Sequence, residues 1–371
     1  MTMNHPIPVD HPGVYIGEEI QARGWNQNDL AFVLGTTQQA VSLIVSGKRG
    51  ISPAMAKSLA DAFDVSPTLF LNLQRQYDLA RAADPDEGIQ RRARVQQQYP
   101  LREMIRRGWI EDAEPKLLEA QVACFFEVED INDVPHIRHV AKKTNYDNIP
   151  PSQLAWLFRV RQLAKEMVVA RYSKRALQDG VARLRTMLQY PDGIRHVPRV
   201  LEECGVRFVI VESLPGGGID GVCFWLDKQS PVIGMTLRYD RVDNFWFVLR
   251  HEIDHVLHRD GQREPMIDEE LDPTATDLPA EELRANAAAA DFCVPSDAMD
   301  SFFHRKNPYF SRSAVTAFAQ RVQVHPGLVV GQLQFRLKKY SFLRDLQVKV
   351  RHHVTSSALV DGWGDVVPTD L

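Results

Sequence analysis

The most constraining feature of this chain is one helical stretch with two histidines on a single face. In Phe245-Trp246-Phe247-Val248-Leu249-Arg250-His251-Glu252-Ile253-Asp254-His255-Val256-Leu257-His258, apolar residues recur at helical spacing, which predicts a strong helix over Asp243–His258. His251 and His255 stand four residues apart, so their imidazoles share a face and can reach one metal ion. Zinc suits neutral imidazole and carboxylate ligands, and a catalytic zinc keeps one position for water. Glu252 follows the first histidine directly and therefore points beside such an ion rather than at it. There it can take a proton from water and hand it to a leaving amine. The spacing thus predicts Zn2+ as cofactor, His251 and His255 as ligands and Glu252 as catalytic base.

A third protein ligand is needed. The downstream candidates are Glu264, Asp268, Glu269, Glu270, Glu281 and Glu282. The cluster near 264–272 lies in a turn-rich acidic stretch and reads as a solvated rim. Glu282 begins an alanine-rich helix (Ala285-Asn286-Ala287-Ala288-Ala289-Ala290) whose small residues permit close packing on the histidine helix. It is the expected third ligand, with Glu281 next. His258 is the main rival and is otherwise expected to top the helix and favour its negative C-terminal end. Upstream, Val206–Val211, Gly221–Leu226 and Val232–Leu237 are short apolar runs between Gly-, Pro- and Asp-containing turns. They predict a three-stranded antiparallel sheet. Helices are expected at Ala280–Cys293, Ser313–Val322 and Leu328–Leu337.

The N-terminal part has a different grammar. Asn26 caps Gln27–Leu34 and Gly35 closes it; Thr37 caps Gln38–Ser46 and Gly47 ends it. Two short helices joined through Gly-Thr-Thr form a helix-turn-helix. Ser52-Pro53 and Ser66-Pro67 open two further helices. If Gln38–Ser46 is the recognition helix, Gln38, Gln39 and Ser42 face base edges in the major groove. Thr37 sits at its start, Gln27 is placed for a phosphate, and Lys48 and Arg49 add electrostatic contact. Between Thr36 and Lys57 there are three basic residues and no acidic one. The net charge of −4 makes that local face, not the whole chain, the feature that would attract nucleic acid.

At 371 residues two or three domains are expected. The polar, charged stretch from Asp84 to Pro100 marks the first boundary. The reading is 1–83 helix-turn-helix domain, 84–194 helical linker or middle region, 195–360 metallopeptidase domain and 361–371 loose tail. In the middle region Ala155–Arg171 and Ala176–Leu188 are the clearest helices. The fold class is α+β, mainly helical, with a five-helix DNA-binding domain and a zincin-like domain. Four scattered cysteines without a CxxC pair read as free thiols in a reducing compartment. Met1–Asp10 lacks an apolar core of the secretory kind, and no run approaches the roughly 18 apolar residues a membrane span needs. A cytoplasmic location without membrane contact is expected.

The block Arg238-Tyr239-Asp240-Arg241 to His258, then Glu282-Leu283-Arg284-Ala285-Asn286 and Phe292-Cys293-Val294-Pro295, resembles the ImmA/IrrE family of metallopeptidases, over about residues 195–340. The resemblance implies a zinc-dependent endopeptidase whose protein targets are often helix-turn-helix repressors. Asp254 departs from the small Gly or Ala usual there, and Ala288-Ala289 from the usual Phe-Ala. Residues 10–80 resemble HigA-type antitoxins through Gly35-Thr36-Thr37, Val41-Ser42, Ser46-Gly47-Lys48-Arg49 and Leu71-Asn72-Leu73-Gln74 to Leu79. That implies a homodimer on a palindromic double-stranded DNA operator, with a toxin as a further possible partner. Three functions follow as expectations. The first is a DNA-bound peptidase cutting a transcription factor. The second is a repressor or antitoxin whose zinc fold senses or binds partners without cutting. The third is self-cleavage near 84–100.

Overall fold

Polar caps start the N-terminal helices in the computed structural model, which describes residues 9–84, 86–133, 149–262, 265–269 and 278–364. The chain divides into two compact units, Met1–Glu87 and Gly88–Leu371. The first holds α1 (Pro12–Ala22), α2 (Gln27–Val33), α3 (Gln38–Val45), α4 (Pro53–Phe63) and α5 (Pro67–Arg81). Asn26 and Asp29 form a reciprocal capping box on α2, while Thr37, Ser52 and Ser66 cap α3, α4 and α5. Ile16, Leu30, Val41, Ile44, Leu59, Phe63 and Phe70 make one core. Gly13 lets α1 touch the end of α3 backbone to backbone, because a Cβ there would lie 2.2 Å from the Ile44 carbonyl oxygen.

The second unit opens with α6 (Glu87–Gln98), α7 (Leu101–Arg106), α8 (Pro115–Phe125), α9 (Pro151–Glu166), α10 (Lys174–Arg185) and α11 (Val197–Cys204). The expected helix Ala155–Arg171 stops at Glu166, where Met167 turns extended. Then come β1 (Arg207–Val211), β2 (Ile219–Trp225) and β3 (Pro231–Met235), followed by α12 (Val242–His258) and β4 (Met266–Glu269). The unit closes with α13 (Ala280–Cys293), α14 (Ser296–Lys306), α15 (Arg312–Arg321), α16 (Pro326–Leu337), α17 (Arg351–Val354) and β5 (Leu359–Asp361).

The sheet is mixed, which corrects the expectation of three antiparallel strands. Its order is β4-β2-β3-β1-β5. β2 runs antiparallel to β3 and β4, whereas β1 runs parallel to β3 and to β5. Inserting β3 between β1 and β2 is what makes the β1–β3 pair parallel.

Every residue of β2 and β3 is buried, so both faces of the sheet are covered. Phe208, Ile210, Cys223, Trp225, Ile233 and Met235 face the core built by α12 and the C-terminal helices. Val209, Val222, Phe224 and Val232 face a second core made with Val122, Phe125, Trp156, Phe158 and Val160 of the preceding helices. The segment expected as a linker or middle region thus supplies one layer of the sandwich.

Strand β5 is anchored too. Asp361, where a loose tail is expected to begin, ends β5 at 1% exposure and pairs with the equally buried Arg159 of α9, Nη2 to Oδ2 2.5 Å. A guanidinium in that core needs a carboxylate, and Asp361 provides it. Residues 365–371 lie outside the described residues. Among the described residues no helix is long and apolar enough to cross a membrane.

Candidate metal centre and nucleic-acid face

The apolar side of α12 (Phe245, Val248, Leu249, Ile253, Val256) is locked into the core, and this fixes where its polar residues point. His251, Glu252 and His255 are all fully buried. The two histidine rings meet edge to face with centroids 4.7 Å apart. Their Nε2 atoms approach to 3.0 Å. Glu282, one residue pair into α13, completes the cluster: its carboxylate lies 3.1 Å from His251 Nε2 and 3.5 Å from His255 Nε2. One ligand atom from each of the three falls within 4.8 Å of the others.

These spacings fit a metal. Four-coordinate zinc with bonds of 2.0–2.1 Å separates its donors by about 3.3 Å, and the three pairs bracket that edge. The donor types, two imidazoles and a carboxylate, are those that zinc takes in open catalytic sites. Burial pushes the Glu282 carboxyl up, but hydrogen bonds from His251 and His255 outweigh it and hold the group well below its usual range. It is therefore ionised, as a ligand must be.

The other candidates separate cleanly. His258 is 42% exposed, and its Nδ1 faces the Asp254 carbonyl at 2.9 Å, away from the cluster. Glu281 is half-buried and does not join the cluster. Glu264 and Glu270 lie outside the described residues, as do the side chains of Asp268 and Glu269.

Glu252 is held against the sheet. Gly221 of β2 packs on it so closely that a Cβ at 221 would stand 2.1 Å from Glu252 Oε1. Only a glycine leaves the carboxylate its place beside the histidines.

Two groups not singled out from the sequence brace the cluster. The chain turns left-handed at Arg259 (φ 62°), so that the Asp260 N–H donates to the His255 carbonyl at 2.9 Å. The same turn brings Asp260 Oδ2 to 3.0 Å from His255 Nδ1. A carboxylate there fixes the proton on Nδ1 and leaves the Nε2 lone pair for a metal. Arg284, two residues after Glu282, spans both helices: its Nε donates to Asp254 Oδ2 at 2.8 Å, and its Nη2 donates to Asp260. Arg250 also pairs with Asp254, at 3.0 Å. The unusual Asp254 is thus the anchor of a clamp that holds the Glu282 helix on the histidine helix. Its carboxyl is kept below the usual range: burial raises it, but Arg284 and Arg250 more than offset that. Asp260 was legible only as an acid just past the helix end.

Losing this clamp should loosen the metal ligands. Arg284→Ala is expected to weaken zinc binding about 10- to 100-fold, measured by competition with a chromophoric chelator. Unchanged affinity would show the clamp to be irrelevant to the ligands.

In the first unit, Gln38 and Gln39 are exposed at the start of α3, and Ser42 lies half-buried one turn on. Gln27, at the start of α2, accepts from Gln38 Nε2 at 3.4 Å, so the two amides support one another. The Thr37 hydroxyl is engaged as cap, accepting the Ala40 N–H at 3.2 Å. Lys48 and Arg49 are exposed, and both backbone N–H groups fold back onto the Leu43 carbonyl. Gln74 of α5 accepts the Ile51 N–H at 2.9 Å and so ties the following loop down.

Comparison with known proteins matches two family models to these two regions. The model described as helix-turn-helix covers residues 16–70. The model described as IrrE N-terminal-like domain, of the Peptidase_M78 family, covers residues 202–338. Among curated proteins, Virulence-associated protein A' of Dichelobacter nodosus is 41% identical over 75 residues. That match takes in 20% of this chain and spans 65% of the relative's length. Among solved structures, an addiction module antidote protein of the HigA family from Coxiella burnetii is 34% identical. It covers 20% of this chain and 80% of its own, at a TM-score of 0.19. An antidote protein of a plasmid maintenance system from Nostoc punctiforme is 28% identical, covering 25% and 94%, at a TM-score of 0.20.

Proposed function

Because the chain joins an XRE-type helix-turn-helix domain to an IrrE/ImmA-like Peptidase_M78 domain, we propose that it is a DNA-binding zinc endopeptidase that cuts a protein regulator. The observation that supports this best is the buried His251–His255–Glu282 cluster with Glu252 beside it. His251, His255 and Glu282 would hold a zinc ion. A bound zinc supplies Lewis acidity, lowering the pKa of water to about 7 and polarising a carbonyl. Glu252 takes the proton from the attacking water and delivers it to the amine of the broken peptide. Asp260 keeps His255 in the tautomer that offers Nε2, and Gly221 keeps Glu252 in place.

The first unit binds double-stranded DNA with α3 in the major groove, Gln38, Gln39 and Ser42 at base edges, and Lys48 and Arg49 at phosphates. A second helix-turn-helix regulator bound nearby is the protein substrate. Holding the peptidase on the same DNA raises its effective concentration near that target without any added contact.

The test uses one preparation for both halves. The full chain incubated with a helix-turn-helix regulator that binds the same DNA should cut it, stop when a chelator strips the metal, and resume on adding zinc. In a gel shift on its own upstream DNA it should bind, more weakly as salt rises. Binding without any zinc-dependent cutting would overturn the peptidase half and leave a regulator that binds partners through this fold.

A further inference from the structure

The face of α12 that carries the metal ligands continues beyond them. Phe247 lies one turn before His251 in the same row of side chains, and the two rings are 6.4 Å apart. On α13, Cys293 stands three turns beyond Glu282, in the same row again. Both residues line one cleft of about 630 Å³, walled on its far side by α16. Asp220, the neighbour of the glycine that touches Glu252, closes the cleft at the sheet. The cleft thus borders the centre through Phe247 and Asp220, while its own lining does not reach His251, Glu252, His255 or Glu282.

We infer that this cleft is a specificity pocket that receives a bulky apolar or aromatic side chain of the protein substrate, next to the bond to be cut. This rests on the peptidase reading above.

The lining selects the class of occupant. Tyr239, Phe247, Leu328, Phe335 and Tyr340 supply its apolar wall. The charges balance, Asp220 and Asp243 against Arg241 and Arg336, so no net field favours a charged residue. Most are also engaged already. Arg241 donates to Asp243 at 3.0 and 2.6 Å and to Gln334 at 2.9 Å, and Arg336 pairs with Asp300 at 2.6 Å. What the cleft offers an occupant is contact area along aromatic rings. Its volume exceeds one side chain and lies in the range of ligand pockets, so the residues flanking the occupant fit as well. Gly331 of α16 packs on α12 so tightly that a Cβ there would stand 2.2 Å from the Asp243 carboxylate. That contact sets the far wall directly against α12.

Two variants reshape the pocket without touching the metal cluster: Ala290→Phe fills it, and Phe335→Ala widens it. The probes are fluorescein-labelled decapeptides differing at one position, which carries Ala, Leu, Phe, Trp, Lys or Glu. Binding is read by fluorescence polarisation on the zinc-loaded full chain carrying Glu252→Gln, and cutting on the chain with Glu252 intact. The Leu, Phe and Trp peptides should bind about tenfold or more tightly than the Ala, Lys and Glu peptides. Ala290→Phe should abolish that preference with zinc content unchanged, and Phe335→Ala should shift it toward Trp. Equal binding of all six peptides, or a preference that both variants leave intact, overturns the pocket. If the preference is found but nothing is cut, the pocket stands and the peptidase reading falls. If peptides are cut with no preference, the reverse holds. Should Ala290→Phe fail to fold, Phe335→Ala on the partly exposed face of α16 decides alone.

Discussion

Replacing Glu252 by glutamine is expected to slow cleavage by about 10²- to 10⁴-fold while zinc stays bound one per chain. The two halves of that expectation have separate physical grounds. The rate falls because a neutral amide cannot take a proton from the attacking water, and the other carboxylates described beside the histidine pair are already engaged. Glu282 faces both Nε2 atoms as the proposed third ligand, and Asp254 and Asp260 are bound to Arg284. Zinc stays because Glu252 is not one of the three cluster donors, and glutamine has the shape to sit where the carboxylate rests against Gly221. Metal content measured on the purified variant separates a lost base from a collapsed site. A variant that cuts at the parent rate removes Glu252 from the mechanism; one that loses its zinc shows that the residue is structural.

The sequence carried the histidine pair and the glutamate beside it plainly, because i, i+4 geometry is local and needs no knowledge of the rest of the fold. Glu282 was reachable through the run of alanines behind it, since a helix that must approach another closely needs small side chains. The brace was not reachable. Asp260 meets His255 only because the chain turns left-handed at Arg259, a conformation that favours glycine and that arginine does not advertise. Arg284 on α13 reaches Asp254 on α12 and Asp260 in the turn after it, 30 and 24 residues away in sequence. The sheet shows the same division. The apolar runs of β1, β2 and β3 were visible, but their pairing depends on strand order, which short runs leave open. β4 was hidden in an acidic stretch that reads as a rim. Wholly buried strands imply cover on both faces, yet nothing in 101–166 announced that those helices supply the second cover.

The largest stability effect is expected from a residue at the far end of the chain. Asp361→Ala should cost about 3–5 kcal/mol, the usual loss when one partner of a buried ion pair is removed. Asp361 and Arg159 are each 1% exposed. Asp361 also accepts from Trp109 Nε1 at 3.2 Å, and its carbonyl accepts the Glu212 N–H at 2.8 Å. The backbone carbonyl thus ties β5 beside β1, while the carboxylate ties it to Arg159 of α9 and to Trp109. Alanine takes from this buried guanidinium the carboxylate that Asp361 gives it in an apolar core. Denaturant titration of the full chain followed by tryptophan fluorescence reads this unit, because five of the six tryptophans lie after Gly88 and only Trp25 before it. The charge argument has its own check. Replacing both partners, Arg159→Leu with Asp361→Leu, should recover much of the loss, since a pair swapped for apolar groups of similar volume is often neutral. A single Asp361→Ala change costing under about 1 kcal/mol, as an exposed pair would, would mean that Asp361 is not the buried anchor of this sheet.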